Sequence, residues 1–501
     1  MDADTQQAPP IPSPSLPATS TSPLPRRIFA VASPHSLGGT PMFQGSAGIM
    51  SHSVHAFASP SDLVMSAAAR LAGAGFEVLQ ITPFTINFAG PPEMFERAFN
   101  TRLVVRDEPV IKPREGLTVG QFLDDPSTPL RGHIRTEGTA FADVLEGVAL
   151  EEKRYEMQPS PFAPPTGYFL LRVPGDVSAA CNADRVHRMG ITGRGVRVAM
   201  VDSGWYAHPY FEQRGYRAAP VVLGPGAVNP FTDESGHGTG ESANIFAVAP
   251  DVELLPIKYS PVNTVAAFHT AVGLQPDIIT CSWGSNRPFA LEAPDLALAT
   301  AVAAAVAQGI IVIFSAGNGH AGFPGQHPDV ISAGGANLDR DAVLQASNYS
   351  SGFASNIYLG RVVPDVCGLV GMQPRAMYIM LPVEPGDEID LASAGGVFPT
   401  GDETAFDDGW AAFSGTSAAA PQLAGVAALM KQAYPGLTPV LARYLLAAGA
   451  RDVELGFCSP VTTIHAGLPA GPGPDLATGA GLVDAHASVL GALYLRTLWG
   501  T

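Results

Sequence analysis

Three separated segments of the 501-residue chain carry side chains that could act together on an acyl group. The stretch "VAMVDSG" sets Asp202 directly after an apolar run, "DESGHGTGESANIFAVAP" holds His237 between glycines, and "AAFSGTSAAAPQLAG" holds Ser417 ahead of small residues and Pro421. A serine hydroxyl attacks a carbonyl efficiently when a base removes its proton and a carboxylate fixes the tautomer of that base. Asp202, His237 and Ser417 offer one candidate for each task. Singly they are ordinary: an Asp opening a turn before Gly204, a His at a helix start, a Ser in a small-residue turn. A fourth stretch, "IVIFSAGNGHAGFPG", puts Asn318 just past an apolar run, where its amide could donate to a tetrahedral oxyanion. The Ser417 N–H, at a helix start, is the second candidate donor. Pro421 is expected in the first turn of that helix, where a missing N–H costs little.

These residues must be positioned by a scaffold. From about residue 176, the short apolar runs "GVRVAMV", "VELLPIK", "DIITCSW" and "GIIVIFSA" read as strands, with "TVAAFHTAVGL" and "APDLALATAVAAAVAQG" between them as helices. Apolar strands alternating with helices predict an α/β fold, a parallel sheet flanked by helices on both faces. Sites in such sheets form beyond the carboxyl ends of the strands, where Asp202 and Asn318 fall. Upstream, residues 1–25 form a Pro/Ser/Thr-rich tail of disordered character. Residues 26–135 read as a small α+β unit, with strands at "RRIFAVAS", "FEVLQITPFTINFAG" and "LVVRDEPV" and helices at "SPSDLVMSAAARLAGAG" and "PPEMFERAFNTRL". Residues 136–175, including "MQPSPFAPPTG", read as a linker, 176–490 as the main domain and 491–501 as a C-terminal tail.

Composition narrows the function. There are 28 basic against 45 acidic residues, a net charge of −17, which disfavours nucleic acid and anionic membranes as partners. Hydrophobic residues make up 46%, enough for a large core, yet no stretch reaches the roughly 18 apolar residues of a membrane helix. Cys181, Cys281, Cys367 and Cys458 are too few for a disulfide scaffold, and Cys281 falls in an apolar strand, as a small hydrophobe would. The first residues show no signal peptide, so the expectation is a cytoplasmic protein, with leaderless export left open.

The stretches "VAMVDSG", "GHGTG", "SWGS", "SAGN" and "SGTSAAAP" resemble those of the subtilisin-like serine proteases, the subtilases, and "ATGAGLVDA" (477–485) resembles the closing segment of such a domain. The resemblance covers about residues 176–490. It implies a serine endopeptidase with Asp202, His237 and Ser417 catalytic, Asn318 in the oxyanion hole, and a protein or peptide substrate. It also implies that Ser282, Trp283 and Gly284 pair with the substrate backbone and line a specificity pocket. The N-terminal unit resembles the propeptide of the related sedolisins. The resemblance implies that it acts as folding aid and inhibitor, with its tail in the cleft and self-cleavage within 136–175.

The chain departs from the family after His237, where "GTGESANIFAVAP" replaces the usual "GTHVAG" and brings Glu241 one turn past the histidine. Sedolisins use a Glu and an Asp in place of the His–Asp pair, an Asp in the oxyanion hole, and act in acid. The presence of His237 and Asn318 favours the Ser-His-Asp assignment, with Glu241 expected on a solvated helix face. Two further readings stay open, a narrow processing protease and a catalytically silent peptide-binding scaffold. The acidic stretches "VEPGDEID" and "GDETAFDDG" read as a surface loop. No cofactor is required, although many subtilases carry calcium and a Ca²⁺ ion is left open here without assigned ligands.

Overall fold

The computed structural model describes residues 22–39, 41–44, 48–112, 116–156, 170–460, 464 and 467–500. The sequence "MQPSPFAPPTG" lies outside them. In the N-terminal part, strand β1 (Ile28–Pro34) is followed by α1 (Ser61–Gly73), the pair β2 (Glu77–Ile81) and β3 (Ile86–Gly90), and α2 (Pro92–Phe99). A hairpin of β4 (Val104–Lys112) and β5 (Gly116–Asp124) and the strands β6 (His133–Ile134), β7 (Leu145–Leu150) and β8 (Tyr155–Glu156) complete it. An antiparallel sheet runs in the order β2-β3-β1-β7-β6. It therefore continues through β7, inside the stretch that reads as a linker. Ile28, Ala30, Ala32 and Phe88 on one face pack under α1 and α2 around Phe76, Phe95 and Phe99.

After β9 (Leu171–Arg172) and the short helices α3 (Gly175–Ala180) and α4 (Ala183–His187), the main sheet begins with β10 (Arg197–Asp202). There follow α5 (Pro209–Gln213), β11 (Arg217–Ala218), β12 (Val222–Leu223), α6 (His237–Val248), β13 (Glu253–Lys258) and α7 (Thr264–Gly273). Next come β14 (Ile278–Cys281), β15 (Trp283–Asn286), α8 (Ala293–Ala307), β16 (Ile311–Ser315), β17 (Gly322–Phe323), β18 (Ile331–Leu338) and β19 (Leu344–Ala346). The chain closes with β20 (Phe353–Ala354), β21 (Val362–Val363), β22 (Val366–Leu369), β23 (Ile379–Pro382), α9 (Glu388–Ser393), β24 (Trp410–Phe413), α10 (Thr416–Ala433), α11 (Pro439–Gly449) and α12 (Ala485–Trp499).

The order β11-β13-β10-β14-β16-β18 is parallel throughout, β22 extends it from β18, and β19 is the antiparallel edge. The period-2 alternation of each strand splits its side chains between two cores. Val198, Met200, Ile278, Ile311 and Ile313 face α6 and α10. Ala199, Val201, Ile279, Cys281, Val312 and Phe314 face α7 and α8. Helices thus cover both faces, as the sequence predicts. Val31, Phe43, Val54, Phe57 and Ala149 join the second core, so the N-terminal sheet rests on the α7–α8 layer. No helix among the described residues is long and apolar enough to cross a membrane. All four cysteines are free and buried.

Candidate active site

Asp202 ends β10 and His237 begins α6. Asp202 Oδ1 accepts from His237 Nδ1 at 2.7 Å and from the Ser203 N–H at 2.8 Å, and both side chains are almost wholly buried. The turn that delivers the histidine is tied by Asp233. Its Oδ2 accepts from the Thr239 N–H at 2.8 Å and the Thr239 hydroxyl at 2.7 Å, and its Oδ1 accepts from the Ser203 hydroxyl at 2.7 Å. Ser203 Oγ in turn accepts from the Gly238 N–H at 2.9 Å. Helix α6 packs against α10, and the Phe413 ring sits 6.4 Å from the imidazole. A Cβ at position 240 would strike that ring, which is why glycine stands there.

Ser417 is the second residue of α10. Pro421 lies in the second turn, not in the first. A proline there has no N–H for the carbonyl four residues back, which is that of Ser417. The Ser282 hydroxyl donates to this carbonyl at 2.9 Å, and Ser417 Oγ donates to the Ser282 carbonyl at 3.4 Å. Because Ser282 follows β14, the neighbour of β10, Ser417 is fixed at the same carboxyl edge that carries Asp202. Asn318 follows β16 on that edge. Its Oδ1 accepts from the Thr416 N–H at 3.0 Å and the Thr416 hydroxyl at 2.9 Å, which turns Nδ2 into the donor end. Thr416 escapes sequence reading because its partner Asn318 is remote in the chain, and Asp233 because a carboxylate six residues before Thr239 carries no periodic signal. Only the presence of a hydroxyl inside "SGTS" hints at the first.

The backbone of Trp283 and Gly284 does pair with an extended strand. In antiparallel register, Trp283 faces Glu156 and Gly284 faces Tyr155, so the end of the N-terminal unit lies on β15. On its other side the Arg154 N–H donates to the Pro261 carbonyl at 3.0 Å. The Trp283 side chain corrects the expectation of a pocket wall. Its indole turns inward, donates to the Val201 carbonyl at 2.7 Å and packs edge-on against Phe314.

Glu241 also departs from expectation, for it is fully buried and not solvated. Every residue of α6 is buried, so this helix has no solvent face. Its Oε2 accepts from Asn244 Nδ2 at 2.9 Å, while Asn244 Oδ1 accepts from Gln422 Nε2 of α10 at 3.3 Å. Burial pushes its carboxyl up to about 8, opposed by His237 and assisted by Asp202. Asp202, not Glu241, is the carboxylate on the imidazole.

The acidic stretches before Ser417 are not simply a surface loop. Asp387 caps α9 by accepting from the Asp390 N–H at 2.7 Å, and Asp390 accepts from the Gly386 N–H at 2.8 Å. Buried Asp402 accepts from the Ala412 N–H at 2.7 Å. These carboxylates are engaged by backbone donors. Among the described residues no three His, Cys, Asp or Glu side chains converge to hold a metal ion.

Residues 193–481 match the subtilase family. Subtilisin NAT of Bacillus subtilis subsp. natto is 29% identical over 282 residues, covering 51% of this chain and 60% of that protein. Alkaline elastase YaB of Bacillus sp. (strain YaB) is 30% identical over 267 residues, covering 51% and 59%. The chain thus spans about 60% of the length of these curated relatives. Fervidolysin of Fervidobacterium pennivorans, described as a keratinolytic enzyme related to subtilisin, shares the fold with a TM-score of 0.54 at 16% identity, over 93% of this chain and 61% of that one. With more than half of its length matched, the chain belongs to the subtilase family.

Proposed function

We propose that the protein is a serine endopeptidase that cleaves protein or peptide substrates through an acyl-enzyme. Ser417 Oγ attacks the scissile carbonyl. His237 Nε2 takes its proton and returns it to the leaving amine, while Asp202 holds Nδ1–H and stabilises the imidazolium. Asn318 Nδ2 and the first-turn N–H of Ser417 stabilise the oxyanion. The observation that carries this reading is the buried 2.7 Å pair of Asp202 and His237 on the strand edge to which Ser282 ties Ser417. Labelling with a fluorophosphonate probe tests it. After incubation the wild type is expected to react at Ser417 and to hydrolyse denatured casein, and Ser417→Ala and His237→Ala to do neither. A chain still unlabelled when Arg154→Glu displaces the N-terminal tail from the cleft would make it a silent peptide-binding scaffold.

We further propose that the N-terminal unit restrains the enzyme. Its last described strand, β8, occupies β15 as a substrate strand would, which supports an inhibitory role in cis.

A further inference from the structure

We propose that the recess formed by Asp295, Arg287, Ser285 and Thr264 is a subsite for a guanidinium side chain, so that the enzyme selects arginine as the fourth residue back from the bond it cuts. This rests on the endopeptidase reading and deepens it.

The tail of the N-terminal unit supplies the observation. Arg154 is fully buried, next to Tyr155 on β8. Its Nη1 donates to Ser285 Oγ at 2.6 Å and to Asp295 Oδ1 at 3.1 Å, and its Nε donates to Thr264 Oγ1 at 3.2 Å. The backbone here runs between the Pro261 carbonyl and β15 and leads toward Ser417. The register fixes the count. A substrate strand lying as β8 does sets one residue opposite Gly284 and the next opposite Trp283. The residue after that is level with Ser282, and Ser417 is hydrogen-bonded to Ser282. Its carbonyl is the one presented to the nucleophile. The side chain in the place of Arg154 then belongs to the fourth residue back from the cut.

Charge explains why a cation is needed. Asp295 is fully buried at the start of α8 and pairs with Arg287, which also meets Glu292 at 3.2 Å. Arg154 and Arg131, which meets Glu292 at 3.3 Å, both come from the N-terminal unit, as does Glu152, bound to Arg287 at 2.5 Å. Once the tail leaves the cleft, Asp295 loses Arg154 and keeps only Arg287, which it shares with Glu292. A buried carboxylate that loses a cationic partner is costly until another cation arrives. Arginine can meet Asp295, Ser285 and Thr264 at once through its fork of donors, whereas lysine is a point charge and leucine leaves all three unmatched.

The test uses the full chain in two forms, wild type and Arg154→Glu. The second sets a carboxylate against Asp295 and Glu152, so the tail is repelled and the cleft opens. Both are given internally quenched peptides that differ only at the fourth position back from the cut. The expected result is that kcat/KM for arginine exceeds that for glutamine or leucine by at least about tenfold, the loss that follows from leaving a buried charge without its partner. In Asp295→Asn the arginine-to-leucine ratio should fall toward one. Equal ratios, or a preference for leucine, in a chain whose Ser417 reacts with the phosphonate would overturn the subsite and leave the endopeptidase reading standing. A chain that neither reacts nor cleaves any peptide in either form would overturn both. Should Asp295→Asn not fold, the peptide ratios of the other two chains decide.

Discussion

The Ser282 hydroxyl donates to the carbonyl of Ser417 at 2.9 Å, taking the place of the helical N–H that Pro421 lacks. The proline thus makes room for a link between the strand that receives substrate and the residue that attacks it. Ser282→Ala leaves a buried carbonyl unmatched and should lower stability by about 1–2 kcal/mol. Adding Pro421→Ala supplies an N–H for that carbonyl, so the double variant should be more stable than Ser282→Ala alone. Its peptide hydrolysis should stay low, because Ser417 is no longer tied to β15's approach. Thermal melts and kcat/KM of the four chains form the cycle. Additive melts would refute the link.

Thr416 aims Asn318. Both its N–H and its hydroxyl donate to Asn318 Oδ1, and its Oγ1 accepts from the Gly317 N–H at 3.2 Å. Asn318→Ala removes the donor itself and should reduce kcat roughly 10²–10³-fold with KM little changed. Thr416→Val keeps the N–H bond and loses the hydroxyl, so a smaller drop, about tenfold, is expected, again in kcat. A Thr416→Val effect confined to KM would show that the hydroxyl does not serve the oxyanion.

Much of this was legible in the sequence, for physical reasons. β10, β13, β14 and β16 are buried on both faces, so they appear as unbroken apolar runs, and Asp202 and Asn318 stand where those runs stop. β18 and β22 are harder to see. They are thinned by small residues to admit α10, and a Cβ on Gly368 would press on Ala419. Glu241 misleads because "HGTGESAN" is polar enough for a solvated face, and only the packing of α10 over α6 reveals its burial. Arg154 and Asp295 are separated by far more chain than any local pattern spans.

Glu241 should make stability fall as pH rises. Burial holds its carboxyl up to about 8 in the folded protein, against an ordinary value of 4.5. Between those values the folded state keeps a proton that the unfolded state has released, so unfolding gains favour with increasing pH, and the effect levels off above about 8. Glu241→Gln keeps an acceptor for Asn244 and has nothing to ionise. Its melting temperature should match the wild type near pH 5 and exceed it increasingly toward pH 8. Parallel melting curves across that range would mean that the carboxyl is not held protonated.

The placement of β8 on β15 predicts that the chain cuts itself. A substrate strand continued in that register would present to Ser417 a bond within a few residues after the one in the place of Glu156, which for this chain falls inside the 136–175 stretch. Purified wild type on incubation should split into two fragments that stay associated, because Val31, Phe43, Phe57 and Ala149 share a core with α7 and α8. The larger fragment should begin within a few residues after Glu156, as N-terminal sequencing would read. Ser417→Ala should remain intact. The order of the reaction tells a cut in cis from one in trans, since the fraction cleaved per unit time should not change on tenfold dilution. Rates that fall with dilution would instead mean that one molecule cuts another, and a Ser417→Ala chain that still splits would place the cutting outside this protein.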